Sequence, residues 1–335
     1  MEKSSVAAAN KTIHGFGAAA AAIALVAAFA LPATAQKYPD RRPVKIVLPF
    51  GAGGVADVTA RIVADKLSGK LGQRFVIENM PGAGGITAVT AVLSAPPDGY
   101  TLGLVTNGTA ISAALFKSLP FDPVRDFQMV STLGTFDLVF AVNAASPFKT
   151  LADFIKAAKA QPGKLNVGTI NVGGTQHLGA ELFKSMANID VQIVPYRNSP
   201  EIVVALLRND VQMLVEFPPA VKGQVDEGKL RLLATSGPKR SPLMPDLPTV
   251  DEAGVGGYEV TSWNGVFARK GTPEEVVATV NQALADILAM PDASKRLSEL
   301  GIEAKSGSPD ELMALFKSDV KKWADVIEKA GIEKK

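Results

Sequence analysis

No cysteine occurs anywhere in the 335 residues. That excludes disulfides, thiolate metal sites and a lipidated cysteine behind an export signal. Histidine is nearly absent too: the two are His14 and His177. A Ser-His-Asp hydrolase would have to use His177, and no G-x-S-x-G elbow accompanies it. A metal centre of His and Cys ligands is therefore unavailable, and no Asp-rich calcium loop is visible. Charge of one sign is not in excess either, since 35 Lys+Arg offset 33 Asp+Glu for a net +2. No Lys/Arg cluster interleaves with aromatics, which argues against a nucleic-acid partner. The reading carries no catalytic residue, no cofactor and no metal.

What is present points to a packed, exported protein. Hydrophobic residues make up 47% and charged residues 20%, enough apolar matter for a core. Lys3 and Lys11 precede an Ala-rich apolar run, Ala18 to Leu31, that is short for a bilayer span. Ala33-Thr34-Ala35 then gives the small-x-small pattern of a cleavage site. Residues 1–35 are expected to be a cleaved signal peptide, the mature chain to begin near Gln36, and the compartment to be the periplasm. A membrane anchor is the competing reading of that segment.

From residue 44 strand-like runs alternate with helical patterns. The strand-like runs are Val44–Pro49, Phe75–Glu78, Thr101–Val105, Leu165–Gly168, Gln192–Pro195, Met213–Glu216 and Leu230–Thr235. Helical periodicity falls over Asp57–Leu71, Leu151–Ala160, Gln176–Ala187 and Glu201–Arg208. Strands alternating with single helices imply βαβ units, hence an α/β fold with mainly parallel sheets flanked by helices. From Thr272 the pattern is almost all helix, and Thr272-Pro273-Glu274-Glu275 and Ser308-Pro309-Asp310-Glu311 both read as capping boxes. Two lobes are expected: 36–138 with 260–335, and 139–259. TSWNGVFARKG (261–271) is the strand leading back. A chain that crosses twice leaves a cleft suited to a small ligand.

GAGGVADVTA (51–60) and GAGGITAVTA (82–91) agree at seven of ten positions, 31 residues apart. A Gly-rich turn between strand and helix lets a ligand approach the backbone, and it aims free N–H groups and the positive helix end at that ligand. Asp57 stands where the first helix begins and could cap those groups. Three readings compete. GAGGVA fits the dinucleotide pattern G-x-G-x-x-A, with Glu78 placed as the ribose-binding acid; this would make the chain an exported nicotinamide-dinucleotide oxidoreductase. The second reading is that the glycines only make tight turns, and it suits GAGGITA better than GAGGVAD. The preferred reading is a site for a carboxylate or other anion in the cleft. NVGTINVGGTQHLGAELF (166–183) repeats the strand, glycine turn, helix order in the other lobe, with Gly173, Gly174 and Thr175 at the helix start. Two helix N-termini would then face one cleft, and closing the lobes would be a hinge motion. Trp263 is read first as core packing and second as pocket lining; Asp122 and Asp126 in FDPVRDF are read as turn and cap residues.

PFGAGGVADVTAR, ENMPGAGGITA, PPDGYTL, FDPVRDF and NVGGTQHLGAELF, in this order from about Tyr38 onward, resemble the signature segments of Bug-type receptors. Those are the extracytoplasmic solute receptors of tripartite tricarboxylate transporters. The resemblance implies a two-lobed periplasmic binding-protein fold, a non-catalytic monomer, a small organic acid as ligand and integral-membrane transporter subunits as partners. It implies a carboxylate held by backbone groups and ordered waters from both lobes. Carried over by motif, the first-lobe ligand residues are Phe50, Gly51, Gly53, Gly54 and Asp57, with Thr106 and Asn107 after the third strand. The second-lobe residues are Gly173, Gly174, Thr175 and His177. The chain departs from the family pattern at Ala56 and Gly174, where hydroxyl residues are common, and at Tyr196-Arg197-Asn198-Ser199, which replaces a YxGS-like segment. Two hydroxyls are thereby expected to be missing from the pocket.

Overall fold

The computed structural model describes residues 38–170 and 172–335. The expected signal peptide and the start near Gln36 lie outside the described residues. The first sheet begins with β1 (Val44–Leu48), α1 (Val55–Leu71), β2 (Phe75–Asn79), α2 (Ile86–Ser94), β3 (Thr101–Thr106) and α3 (Asn107–Leu115), and continues into β4 (Phe127–Asp137). The second holds β5 (Val139–Asn143), α4 (Leu151–Ala160), β6 (Asn166–Ile170), α5 (Thr175–Met186), β7 (Gln192–Tyr196), α6 (Ser199–Leu207), β8 (Met213–Glu216), α7 (Pro218–Asp226) and β9 (Leu230–Thr235). The chain then returns through β10 (Thr261–Arg269), α8 (Glu274–Leu288), α9 (Pro291–Ser298), β11 (Glu303–Ala304) and α10 (Pro309–Lys329).

The strand orders are β11-β4-β10-β3-β1-β2 and β7-β6-β8-β5-β9. The α/β expectation holds, with one difference. β1 is parallel to β2 and β3, and β6 to β7 and β8, but β10 runs antiparallel to β3 and β4, and β5 antiparallel to β8 and β9. Both sheets are therefore mixed rather than mainly parallel. The antiparallel pairs come from the strands next to the crossings, because a chain passing from one sheet to the other enters against the βαβ direction.

Only Leu138 separates β4 in one sheet from β5 in the other, and it is fully buried. The return leaves β9 at Thr235 and enters β10 at Thr261. Ser236 ties the two passages together. Its backbone N–H donates to the Leu138 carbonyl at 3.0 Å, its Oγ accepts from Leu138 N–H at 2.7 Å, and its carbonyl accepts from Val260 N–H at 2.8 Å. The Ser236 hydroxyl donates to the Val260 carbonyl. One small side chain thus satisfies buried backbone groups of both passages, which apolar substitution would leave unpaired.

Helix α1 shows how local sequence sets the frame. Ala60, Ile62, Val63, Ala64 and Leu67 are buried on its sheet-facing side, and Gly72 ends it at φ +70° with its N–H on the Ser68 carbonyl, a left-handed cap that glycine adopts without Cβ strain. One apolar cluster joins α1, α8 and α9 to one face of the first sheet. A second runs continuously from α2, α3 and α10 to α5 and β6 of the second sheet. The Ser308 capping box is present in both directions, with Glu311 N–H on Ser308 Oγ at 3.2 Å and Ser308 N–H on Glu311 Oε2 at 2.7 Å. The Thr272 box is not formed. Thr272 instead donates its hydroxyl to the Arg269 carbonyl at 2.8 Å, closing the β10 turn, and the N-cap of α8 falls one residue later, at Pro273. Asp122 and Asp126 form the expected turn, with Asp122 Oδ1 accepting from Val124 N–H and Asp126 Oδ2 from Asp122 N–H.

Candidate functional site: two matched helix N-termini

The strongest conformational match to the first glycine turn is not its sequence near-copy. Gly53 has φ +89° and Gly54 caps α1 at φ −77°, ψ 168°. Gly173 has φ +80° and Gly174 caps α5 at φ −80°, ψ 168°. In GAGGITA the glycine before α2 is left-handed instead, Gly85 at φ +91°, ψ −2°. Gly84 there lies against Phe116 and Ser112, and Gly85 against Pro49, so those glycines serve packing. Neither α1 nor α5 has a side-chain cap, so their first-turn amides carry the positive helix end with no built-in acceptor.

Asp57 holds the first turn in shape. Its Oδ2 accepts from Gly53 N–H and Arg61 Nε at 2.9 Å, and its Oδ1 from an Arg61 terminal N–H and Asn79 Nδ2 at 2.9 Å. Asn79 Nδ2 also donates to the Phe50 carbonyl at 3.0 Å. The Arg61 hydrogen bonds hold the Asp57 carboxyl well below the usual carboxylate range, to about 2. Its acceptor capacity is thus filled by the scaffold, and Asp57 acts on any ligand through the backbone it fixes. Glu78 is ion-paired with Lys45 at 3.0 Å. Phe50 is partly exposed, and a Cβ added at Gly51, Gly53 or Gly54 would meet no atom within 4 Å. The space above this turn is open.

The second turn is more enclosed. A Cβ on Gly173 would come within 2.8 Å of Leu115 Cδ2 on α3. Thr175, Gln176 and His177 are buried. The Thr175 hydroxyl donates to Asn107 Oδ1 at 2.8 Å, Asn107 Nδ2 donates to Asp319 Oδ2 at 2.8 Å, and Trp263 Nε1 donates to the same oxygen at 2.7 Å. Thr175 and Asn107 are therefore brought together across the two sheets, with their side chains turned to each other. Trp263 takes its packing role, 1% exposed beside Phe316. His177 Nδ1 is buried without a partner, and burial lowers its pKa, which keeps the ring neutral at pH 7. Thr106 caps α3: its N–H donates to Thr109 Oγ1 at 3.2 Å and its buried Oγ1 faces the Thr109 N–H, while its hydroxyl proton has no acceptor.

Sequence reading missed Glu216, Arg61, Asn79 and Asp319. Glu216 ends β8 and is 1% exposed; it accepts from Gln176 Nε2 and Ser199 Oγ at 2.8 Å and from Phe217 N–H at 2.7 Å. Burial raises its pKa. It gathers the starts of α5, α6 and α7 on one carboxyl. Its only sequence signal is an acid closing an apolar strand. Asn198 caps α6 through Glu201 N–H at 3.0 Å, so the departing segment serves the helix start. Two surface depressions, of about 430 and 360 Å³, are lined by Ala158, Pro162 and Ile189 and by Leu232, Leu243 and Leu247, and hold none of these residues. Among the described residues no His, Cys, Asp and Glu cluster could hold a metal ion, and no helix is long and apolar enough to cross a membrane.

Residues 59–332 match the family model described as "Tripartite tricarboxylate transporter family receptor". The chain belongs to that family. Protein BugT of Bordetella pertussis is 31% identical over 311 residues, covering 92% of this chain and 95% of BugT. The solved structure of R. palustris Rpa4515 with adipate is 35% identical, with a TM-score of 0.77, covering 88% of this chain and 99% of the other. MatC from Rhodopseudomonas palustris with bound malate is 32% identical, with a TM-score of 0.72, covering 85% and 99%. The chain is a Bug-type solute-binding receptor of the tripartite tricarboxylate transporter family, and the nicotinamide-enzyme reading is not favoured.

Proposed function

We propose that this receptor captures a small organic acid in a periplasmic cleft between two lobes, residues 36–138 with 260–335 and residues 139–259. The acid's carboxylate is received by the first-turn amides of α1 and α5 and by water. The single observation that carries the reading is the shared backbone of Gly53-Gly54 and Gly173-Gly174 at two uncapped helix starts. Amide donors suit an anion and need no cation, and the anion gains from the helix end as well. The relatives solved with adipate and malate support an acid ligand. Residues 1–35 act as a cleaved export signal, the chain works as a monomer without catalysis, and it hands its ligand to membrane transporter subunits.

Thermal unfolding of residues 36–335 against di- and tricarboxylates, amino acids, aromatic acids and NAD(P) tests this. A ligand at a hundred times its Kd adds about 2.7 kcal/mol, on the order of 5–10 °C for a chain of this size. A shift with one acid class supports the receptor reading. A shift with NAD(P) alone overturns it.

A further inference from the structure

Asn264 sits in the middle of the first sheet, on β10, and is 1% exposed. Its Nδ2 has no hydrogen-bond partner. Its direct cross-strand neighbour on β3 is Thr106, which is 4% exposed; its Oγ1 faces the Thr109 N–H in the α3 capping box, and its hydroxyl proton has no acceptor. Two buried donors without an acceptor, in register on adjacent strands, are unusual, because each costs free energy unless something pairs with it. Trp263, Val266, Phe267 and Ala268 of the same strand are buried apolar residues, with Ser262 the other buried polar one, so an apolar residue at 264 would fit the strand without that cost.

Alternation along the strands settles where these atoms point. Leu102 and Leu104 of β3 face the cluster that contains Ile46, Leu48 and the buried side of α1, so Thr106 faces the same way. Val266 and Ala268 of β10 lie in that cluster too, whereas Trp263 lies in the other, so Asn264 joins Thr106 on the α1 face. Both stand at the strand ends from which the Gly53-Gly54 turn rises, one and two strands away from β1. With neighbouring strands about 4.8 Å apart, the pair lies a short molecule's length from the uncapped start of α1. An Nδ2–H and a hydroxyl are neutral donors, and they recognise an acceptor oxygen.

We propose that Asn264, with Thr106 beside it, is a ligand-binding and specificity-determining residue of this receptor. The Asn264 amide and Thr106 hydroxyl donate to an oxygen of the bound acid at the end remote from α1. The inference rests on the receptor reading above. It explains a buried carboxamide beside Trp263, Val266, Phe267 and Ala268: the free receptor bears the cost of two donors without acceptors, and the ligand removes it.

Adipate and malate binding to the wild-type chain, Asn264→Leu and Asn264→Asp, measured by titration calorimetry together with the unfolding midpoint of each free protein, tests the assignment. Asn264→Leu is expected to lose about 10- to 100-fold in affinity, the range for a hydrogen bond to a charged group, with an unfolding midpoint equal to or above that of the wild type. Asn264→Asp replaces the donor by an acceptor of the same size and is expected to lose more. Wild-type binding with unchanged affinity in both variants would overturn the assignment alone and leave the receptor reading intact, showing that Asn264 is satisfied by an internal water. A wild-type chain that binds neither these nor any other acid of the panel would overturn the receptor reading and this inference with it.

Discussion

The hydroxyl of Thr175 donates to Oδ1 of Asn107 at 2.8 Å, joining the first residue of α5 to the first residue of α3 and so the second sheet to the first. Both residues are buried. Asn107 is held from its other side by Asp319, which also receives Trp263. The bond therefore connects a helix start on one side to a fixed buried network on the other.

Replacing Thr175 by Val keeps the shape and removes the donor. It strands Asn107 Oδ1, a loss of about 1–3 kcal/mol. The expected result is a lower unfolding midpoint and a wider spread of inter-sheet arrangements, read by small-angle scattering of the free protein. A midpoint equal to wild type would show that the two sheets do not depend on this contact.

The two glycine pairs give opposite expectations, one at a helix cap and one at the left-handed glycine before it. Gly54 has an ordinary backbone and open space around it, so Gly54→Asp should fold. Its carboxylate would cap α1, a gain of a few tenths of a kcal/mol over glycine, while occupying the place proposed for the ligand. Stability is thus expected to hold or rise as acid binding disappears; binding at wild-type affinity would remove the α1 start from the site. Gly173→Ala meets both a φ of +80° and Leu115 at 2.8 Å, and should destabilise the fold by on the order of 2 kcal/mol.

Asp137, the last residue of β4 before the crossing, titrates in an accessible range. Burial pushes its carboxyl up to about 6, helped by Glu303 and Glu259 and opposed by the Thr261 hydroxyl that donates to it at 3.1 Å. A carboxyl raised in the folded state binds its proton more tightly there than in the unfolded chain. Stability from this residue therefore falls as pH rises from about 4 through about 6. Asp137→Asn should flatten that part of the profile and stabilise by on the order of 1 kcal/mol at pH 7.5. Urea unfolding from pH 4 to 8 measures it; parallel profiles for the two proteins would show that Asp137 does not contribute.

Legibility followed the range of the interactions. Met213–Glu216, Leu230–Thr235 and Leu151–Ala160 were readable at their observed limits, because periodicity and bounding turn residues act within a few positions. β4 and β5 were not anticipated: FQMVSTLGTFDLVFAVN is buried on both faces for most of its length and mixes polar with apolar residues, and such a run carries no clean period to read. The resemblance between 51–60 and 82–91 was visible in the letters yet misleading in shape, since Gly85 is left-handed where Gly54 is extended.

The sequence by itself determined the export-like N-terminus, the alternating α/β elements, the two glycine-turn helix starts of α1 and α5, and the family. Each is written in short, contiguous patterns whose physics is local. Only the tertiary structure decided that Asp57 is saturated by Arg61 and Asn79, that Glu216 is enclosed by three helix starts, and that Asn264 stands opposite Thr106 with no acceptor for the donor of either. Those facts depend on register and burial between segments as far apart as β3 and β10, and a side chain's environment is set by what the whole fold packs against it.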